Sequence, residues 1–289
     1  PRRSVAIRMG GVLVFYRHAG SRVALVKATN GRRSADEYTI EWGGCGWTLD
    51  ASHDRIGLRP ADDARVRLLT LSGLATTGRR EDGAFRKVDL IGVELLHSRL
   101  LASFAPQGWH GLTVRAAWGP SPQGDGLDLE IQASTSTVGE LRRLEILVES
   151  TPIDTPDIRS TTVEPRDRVA ALLSYDGRER AEILQRLTTT PIPRSDAHPF
   201  GPLAVPLGTS CSYLEMVHPY DVSRRVVETL NDGSTIAATR YALFGYDLEK
   251  GVVLRGRLRG VWMQGPHTDR SALIDQHKRF LHEPPPLGG

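Results

Sequence analysis

Gly126-Leu127-Asp128-Leu129-Glu130-Ile131-Gln132-Ala133 alternates without a break. Successive side chains of a strand point to opposite faces, so Leu127, Leu129 and Ile131 form an apolar face and Asp128, Glu130 and Gln132 a polar one. A helix would scatter the same residues around its circumference. Upstream, Gly111-Leu112-Thr113-Val114-Arg115-Ala116-Ala117-Trp118 reads as a second strand, joined by a short loop rich in Gly and Pro. Downstream, Leu144, Ile146 and Val148 alternate with Arg143, Glu145 and Leu147.

The same rhythm runs outward along the chain. Residues 65–71, 88–96 and 100–104 are strand-like, and residues 12–16 and 22–26 read as a hairpin around a Gly-containing turn. Asn231-Asp232-Gly233 is a strong turn signal between residues 223–230 and 234–244. Glu249-Lys250-Gly251 predicts another hairpin, between 241–248 and 252–262. Prolines 152, 156, 165, 191, 193 and 199 punctuate an excursion over about 151–201, in which 169–175 is strand-like and 178–187 has helical spacing. A short helix over 271–281 ends before three consecutive prolines. Many strands without a strand–helix rhythm predict an all-β fold, a large antiparallel β-sandwich with few helices. The 289 residues are read as one domain, because large sandwiches reach that length. Each sheet is expected to have one packed and one wet face.

Composition narrows the function. The chain is 39% hydrophobic and 25% charged, with a net charge of +3. It has 33 Arg and four Lys, which reads as a codon bias, and the Arg residues are spread among 34 acids rather than clustered. Nucleic acid is therefore not an expected partner. No run of about 18 apolar residues crosses a membrane, and no signal-peptide pattern opens the chain, so the expected location is the cytoplasm. Cys45 and Cys211 are too few for a disulfide framework. There is no phosphate loop, dinucleotide fingerprint, zinc-protease motif, C-x-x-C or nucleophile elbow. The nine His show no metal-ligand spacing within one element, so no metal or other cofactor is expected.

What remains is acids, bases and aromatics. Cys211-Ser212-Tyr213-Leu214-Glu215-Met216-Val217-His218-Pro219-Tyr220-Asp221 reads as a strand running into a turn. Alternation puts Tyr213 and Glu215 on a polar face opposite Leu214 and Met216, with His218 and Asp221 on its rim. Trp109-His110 sits in a Gly-flanked turn, and His53-Asp54 follows Trp47. A proton-transfer group needs a pKa near working pH, which His has and burial can give Glu. His110, Glu215 and His218 are therefore the candidate acids and bases. A sugar ring needs aromatic platforms, for which Trp47, Trp109 and Tyr213 are candidates. Its hydroxyls need polar groups, for which His53, Arg115, Asp128, Glu130 and Asp221 are candidates, with Gln132 beside them. Each also has a plain structural reading: Trp47 in a tight strand corner, Glu215 in a salt bridge, each His on the surface. Arg255, Arg257 and Arg259 share one face of the last strand, either to grip carboxylates or as a solvated outer face.

The block 111–118, its loop and 126–131 resemble the consecutive long strands of the galactose-mutarotase-like supersandwich superfamily. That superfamily includes aldose epimerases and β-sandwich domains of several glycoside hydrolases and polysaccharide lyases. The resemblance covers about residues 85–150 and, more loosely, 205–263, and rests on strand rhythm; the epimerase catalytic motifs have no residue-by-residue counterpart. It implies one large antiparallel sandwich whose concave sheet binds sugar, with His and Glu or Asp as acid and base. The expected function is carbohydrate-active, an epimerase, lyase or hydrolase acting by proton transfer on a sugar or glycan. The alternative is a non-catalytic module that binds a glycan or a protein, and a homo-oligomer is left open.

Overall fold

The computed structural model describes residues 5–9, 12–16, 26–27, 38–42, 45–50, 56–60, 66–96, 98–138, 141–152, 169–173, 179–183, 201–206, 211–229, 236–264 and 270–283. In chain order the strands are β1 (Val5–Met9), β2 (Val12–Tyr16), β3 (Val26–Lys27), β4 (Tyr38–Trp42), β5 (Cys45–Asp50), β6 (Ile56–Pro60), β7 (Arg67–Ala75) and β8 (Arg80–Asp82). Next come β9 (Leu90–Leu96), β10 (Arg99–Phe104), β11 (Leu112–Pro120), β12 (Gly126–Thr135), β13 (Leu141–Thr151), β14 (Val169–Leu173) and β15 (Glu179–Ile183). The chain continues through β16 (Leu203–Pro206), β17 (Cys211–Val217), β18 (Val222–Thr229), β19 (Ile236–Leu248), β20 (Val253–Gln264) and the helix α1 (Arg270–His282).

Two antiparallel sheets dominate, and the fold is all-β. One has seven strands in the order β16-β17-β20-β12-β11-β10-β9. The other has nine, β18-β19-β13-β7-β6-β5-β4-β3 with β8 beside β7. The alternation of β12 explains how they meet. Leu127, Leu129 and Ile131 join Leu100, Phe104, Val114, Trp118 and Leu258 of their own sheet and Leu49, Leu58, Leu71, Ile146 and Leu243 of the other in one buried cluster. Each large apolar side chain in it stabilises the fold by about 1.5–3 kcal/mol. Three contacts pin one sheet to the other. Trp118 Nε1 donates to the Leu69 carbonyl at 2.8 Å, Trp47 and Trp262 lie 5.7 Å apart, and Tyr241 donates to Glu215 at 3.1 Å.

The outer face of the seven-stranded sheet is only partly wet. The C-terminal helix lays Leu273 and Phe280 on Leu214, Met216 and Val261, forming a second, smaller cluster.

One expectation falls largely outside the described residues and three change. Residues 12–16 form β2, which pairs with β1, and residues 22–25, expected to complete a hairpin with them, lie outside the described residues. The strands on either side of Glu249-Lys250-Gly251 do not pair, because β19 belongs to the nine-stranded sheet and β20 to the seven-stranded one. That turn crosses between sheets, so both strands keep an apolar face on the shared core. The helical spacing over 178–187 gives way to a strand, β15, paired with β14. A short segment with alternating contacts to a neighbour adopts the pairing its backbone groups require, whatever its spacing suggests. Finally, β20 is central rather than solvated, flanked by β17 and β12.

Candidate functional site

Register assembles the polar face foreshadowed by β12. Across the outer face of the seven-stranded sheet, Gly119, Asp128, Arg259 and Met216 stand in one row. Leu101, Ala117, Glu130 and Arg257 stand in the next, and the row continues to His218, whose backbone N–H donates to the Arg257 carbonyl at 3.3 Å. Ser103, Arg115, Gln132 and Arg255 form a third. Neighbouring strands lie about 4.8 Å apart, so these rows bring three segments distant in the chain within reach of one small molecule.

The charges on this face are densely paired at one end. Asp128 is fully buried and takes a bidentate grip from Arg259, at 2.5 and 2.8 Å. Arg259 also reaches Glu283 at 2.6 Å. Arg257 donates to the Phe280 and Glu283 carbonyls at 2.5 and 2.9 Å, which ties down the C-terminal end of α1. Its guanidinium lies 4.3 Å from the centre of the Phe280 ring. At the other end the pairing thins. Arg255 bonds Glu130 at 2.5 Å, and Gln132 donates to the same oxygen at 3.4 Å. Arg115 is exposed and makes no ion pair among the described residues. Buried Arg99 Nη1 and Arg255 Nη2 find no hydrogen-bond partner among the described residues. Burial lowers the pKa of Arg99, and the nearby charges of Asp128 and Glu130 offset this only in part.

Glu215 lies elsewhere. It projects inward with Tyr213, while Leu214 and Met216 project outward under α1. The two do share a face, but it is the face between the sheets and not an open one. The sequence shows alternation without showing which side is covered; here both are. Thr239 and Tyr241 of the opposite sheet donate to Glu215 Oε2. Its Oε1 and the Tyr213 hydroxyl have no partner of good geometry among the described residues, although both groups and Ser150 interact electrostatically. Burial raises the Glu215 pKa, and hydrogen bonding from Ser150, Thr239, Tyr241 and Tyr213 opposes the rise. Tyr213 sits flat against Gly260, where any Cβ would overlap its hydroxyl.

The turn after β17 holds the remaining candidates. Asp221 N–H donates to the His218 carbonyl at 2.9 Å. Asp221 Oδ2 accepts the Arg257 backbone N–H at 3.0 Å, and Phe244 N–H donates to the Asp221 carbonyl at 2.7 Å. Asp221 therefore ties the ends of both sheets together. Burial pushes its carboxyl up to about 6, with the Arg257 backbone bond and charge pulling the other way. Tyr220 is exposed, its ring 5.7 Å from that of His218. It is an exposed aromatic group beside His218, and its place in a turn hides it from any periodicity argument.

Of the other predicted residues, Trp47 is packed inside the sandwich. Trp109 is buried, donates to Glu81 at 2.9 Å and lies under the Arg79 guanidinium at 4.3 Å. His110 is exposed with φ at 48°, and its carbonyl accepts Thr135 Oγ1 at 2.7 Å. His53 lies outside the described residues. The structure thus brings together Arg115, Asp128, Glu130 and His218 on one face, and encloses Trp47, Tyr213 and Glu215 on the other. Among the described residues no group of three or more His, Cys, Asp and Glu could hold a metal ion, and no helix is long and apolar enough to cross a membrane.

No family model matches the sequence, and no curated protein matches it. Solved structures similar in shape include a putative aldose 1-epimerase from Escherichia coli K12, with 10% identity, a TM-score of 0.43, and 79% of this chain and 99% of that one covered. They also include the α-N-acetylgalactosaminidase NagBb from Bifidobacterium bifidum, ligand-free and in complex with GalNAc. Those two structures show 10% and 11% identity with TM-scores of 0.45 and 0.43, over 84% of this chain and 38% of theirs. The chain therefore spans about two fifths of the galactosaminidase. The architecture above rests on this chain's own strand order and register.

Proposed function

We propose that the protein binds a sugar on the outer face of the seven-stranded sheet and acts on it by proton transfer. The observation that carries this reading is the register of β11, β12 and β20. It sets Arg115, Gln132 and Arg255 in one row beside Glu130 and Arg257, with small Ala117 as the floor. Sugar hydroxyls both donate and accept, and an array of guanidinium, amide and carboxylate groups answers both needs. His218 closes the second row and is the proton-transfer group in this reading, with Tyr220 at the rim beside it. Glu215, held between the sheets, and His110, in its turn, stand away from this array.

A second reading has a specific observation behind it. Asp128 and Glu130 are both held by arginines, which suits a binding module with no free carboxylate. Saturation-transfer NMR against a panel of free aldoses and glycosides tests binding, and exchange spectroscopy on the same samples tests turnover. The proposal expects Arg115→Ala to weaken binding about tenfold, the loss of one charge-assisted hydrogen bond. It expects His218→Ala to stop turnover and leave binding in place. Binding without turnover in the unaltered protein selects the module. Binding that Arg115→Ala and Gln132→Ala leave untouched overturns the placement of the site.

A further inference from the structure

The open part of the outer face is its third row. Asp128, Glu130, Arg257 and Arg259 of the first two rows are buried. In the third row Arg115 is exposed, and Ser103, Gln132 and Arg255 are half-buried. Two residues further along the strands, Thr113, Ser134 and Val253 pair across β11, β12 and β20. By parity they face the same way, and Val253 is 60% exposed.

The third row offers a hydroxyl, an amide and two guanidinium groups, and no carboxylate. The buried Glu130 stands behind it. Its Oε1 accepts from both Arg255 Nε and Gln132 Nε2. One acid therefore holds two of the four side chains in place and offsets one of the two positive charges. Arg115 carries the other, and it makes no ion pair among the described residues. Glu94, an exposed acid on the same face, stands beside Leu101 in the second row. Two strands and two residues separate it from Arg115, about 12 Å by the spacings of a sheet. That exceeds the Debye length of about 8 Å in physiological salt, so its charge is largely screened there. One positive charge is left over in the open row.

We propose that the sugar taken by this face is an acidic one, a monosaccharide unit with one carboxylate, and that Arg115 holds that carboxylate. The proposal rests on the sugar-binding reading above and adds its substrate class. A guanidinium meets a carboxylate with two parallel N–H groups. Gln132 and Arg255, one and two strands over, answer the hydroxyls, and Val253 offers an apolar surface to the ring C–H groups. The single leftover charge matches a carboxylate better than a phosphate monoester, which carries about −1.5 to −2 at pH 7.

Saturation-transfer NMR titrations of the full chain test this. They compare D-glucuronate and D-galacturonate with glucose, galactose, glucose 6-phosphate and acetate. Each sugar acid is expected to bind about tenfold more tightly than its neutral counterpart, the lower end for a charge-assisted hydrogen bond because Arg115 is open to water. Arg115→Gln keeps a donor and removes the charge, and is expected to bring that ratio to about one. The position is exposed, so the fold should be kept, which circular dichroism checks. Acid and neutral sugars that bind equally overturn the proposal and leave the sugar reading standing. So does tighter binding of glucose 6-phosphate than of glucuronate, or a ratio that Arg115→Gln leaves unchanged. Acetate binding as tightly as either acid, or no binding of any sugar, overturns the sugar reading itself and the proposal with it.

Discussion

Asp221→Asn isolates the cost of placing a charge where the two sheets meet. The Asp221 carboxyl titrates near 6 instead of the ordinary 3.8, chiefly because burial disfavours its charged form. The raised value sets the sign. Below the ordinary value both folded and unfolded chains are protonated, and the contribution of this group is fully present. As pH rises, the unfolded chain ionises first, and stability is lost until the folded carboxyl also ionises near 6. About two units at 1.36 kcal/mol each set a ceiling of about 3 kcal/mol. The side chain is only partly shielded from water, and screening reduces this to about 1–2 kcal/mol. Asn keeps an oxygen to accept the Arg257 N–H and carries no charge at any pH. Urea unfolding across a pH series should therefore show the two proteins equally stable below about pH 4 and the Asn variant ahead by about 1–2 kcal/mol above about pH 7. A constant difference across the range, or a variant less stable at neutral pH, would refute the reasoning. It would mean that the Arg257 guanidinium compensates the charge more fully than burial penalises it.

Three further outcomes can be measured. Asp128→Ala leaves the buried Arg259 guanidinium with Glu283 as its one remaining carboxylate and should cost about 2–4 kcal/mol by urea unfolding, whereas Asp128→Leu with Arg259→Met should recover most of it. Glu215→Gln keeps an acceptor for Thr239 and Tyr241. Because burial raises the Glu215 pKa, its stability gain should appear only above the ordinary carboxylate range, while Glu215→Ala should destabilise at every pH by about 2–4 kcal/mol through lost bonds and a cavity. Gly260→Ala forces the Tyr213 ring out of its place and should lower stability by about 2 kcal/mol or more, read as a fall in Tm.

Strand content was legible because alternation is local. Leu127, Leu129 and Ile131 announce an apolar face whatever they meet, and the polar face of Asp128, Glu130 and Gln132 follows from the same parity. Turn chemistry was legible at Asn231-Asp232-Gly233, which does join paired strands. The equally good turn at Glu249-Lys250-Gly251 joins unpaired ones, because a turn fixes a change of direction and not the sheet in which the next strand lies.

The sequence alone thus determined the class of fold, the strands and the parity of each side chain. Only the tertiary structure decided which parity faces water, since that depends on what covers each sheet. A helix from the far end of the chain shelters Leu214 and Met216, and so Glu215 and Tyr213 point into the sandwich. Register did the rest. Arg115, Glu130, Arg257 and His218 are far apart in the chain, and they share a face because hydrogen bonding between β11, β12, β20 and β17 sets them side by side.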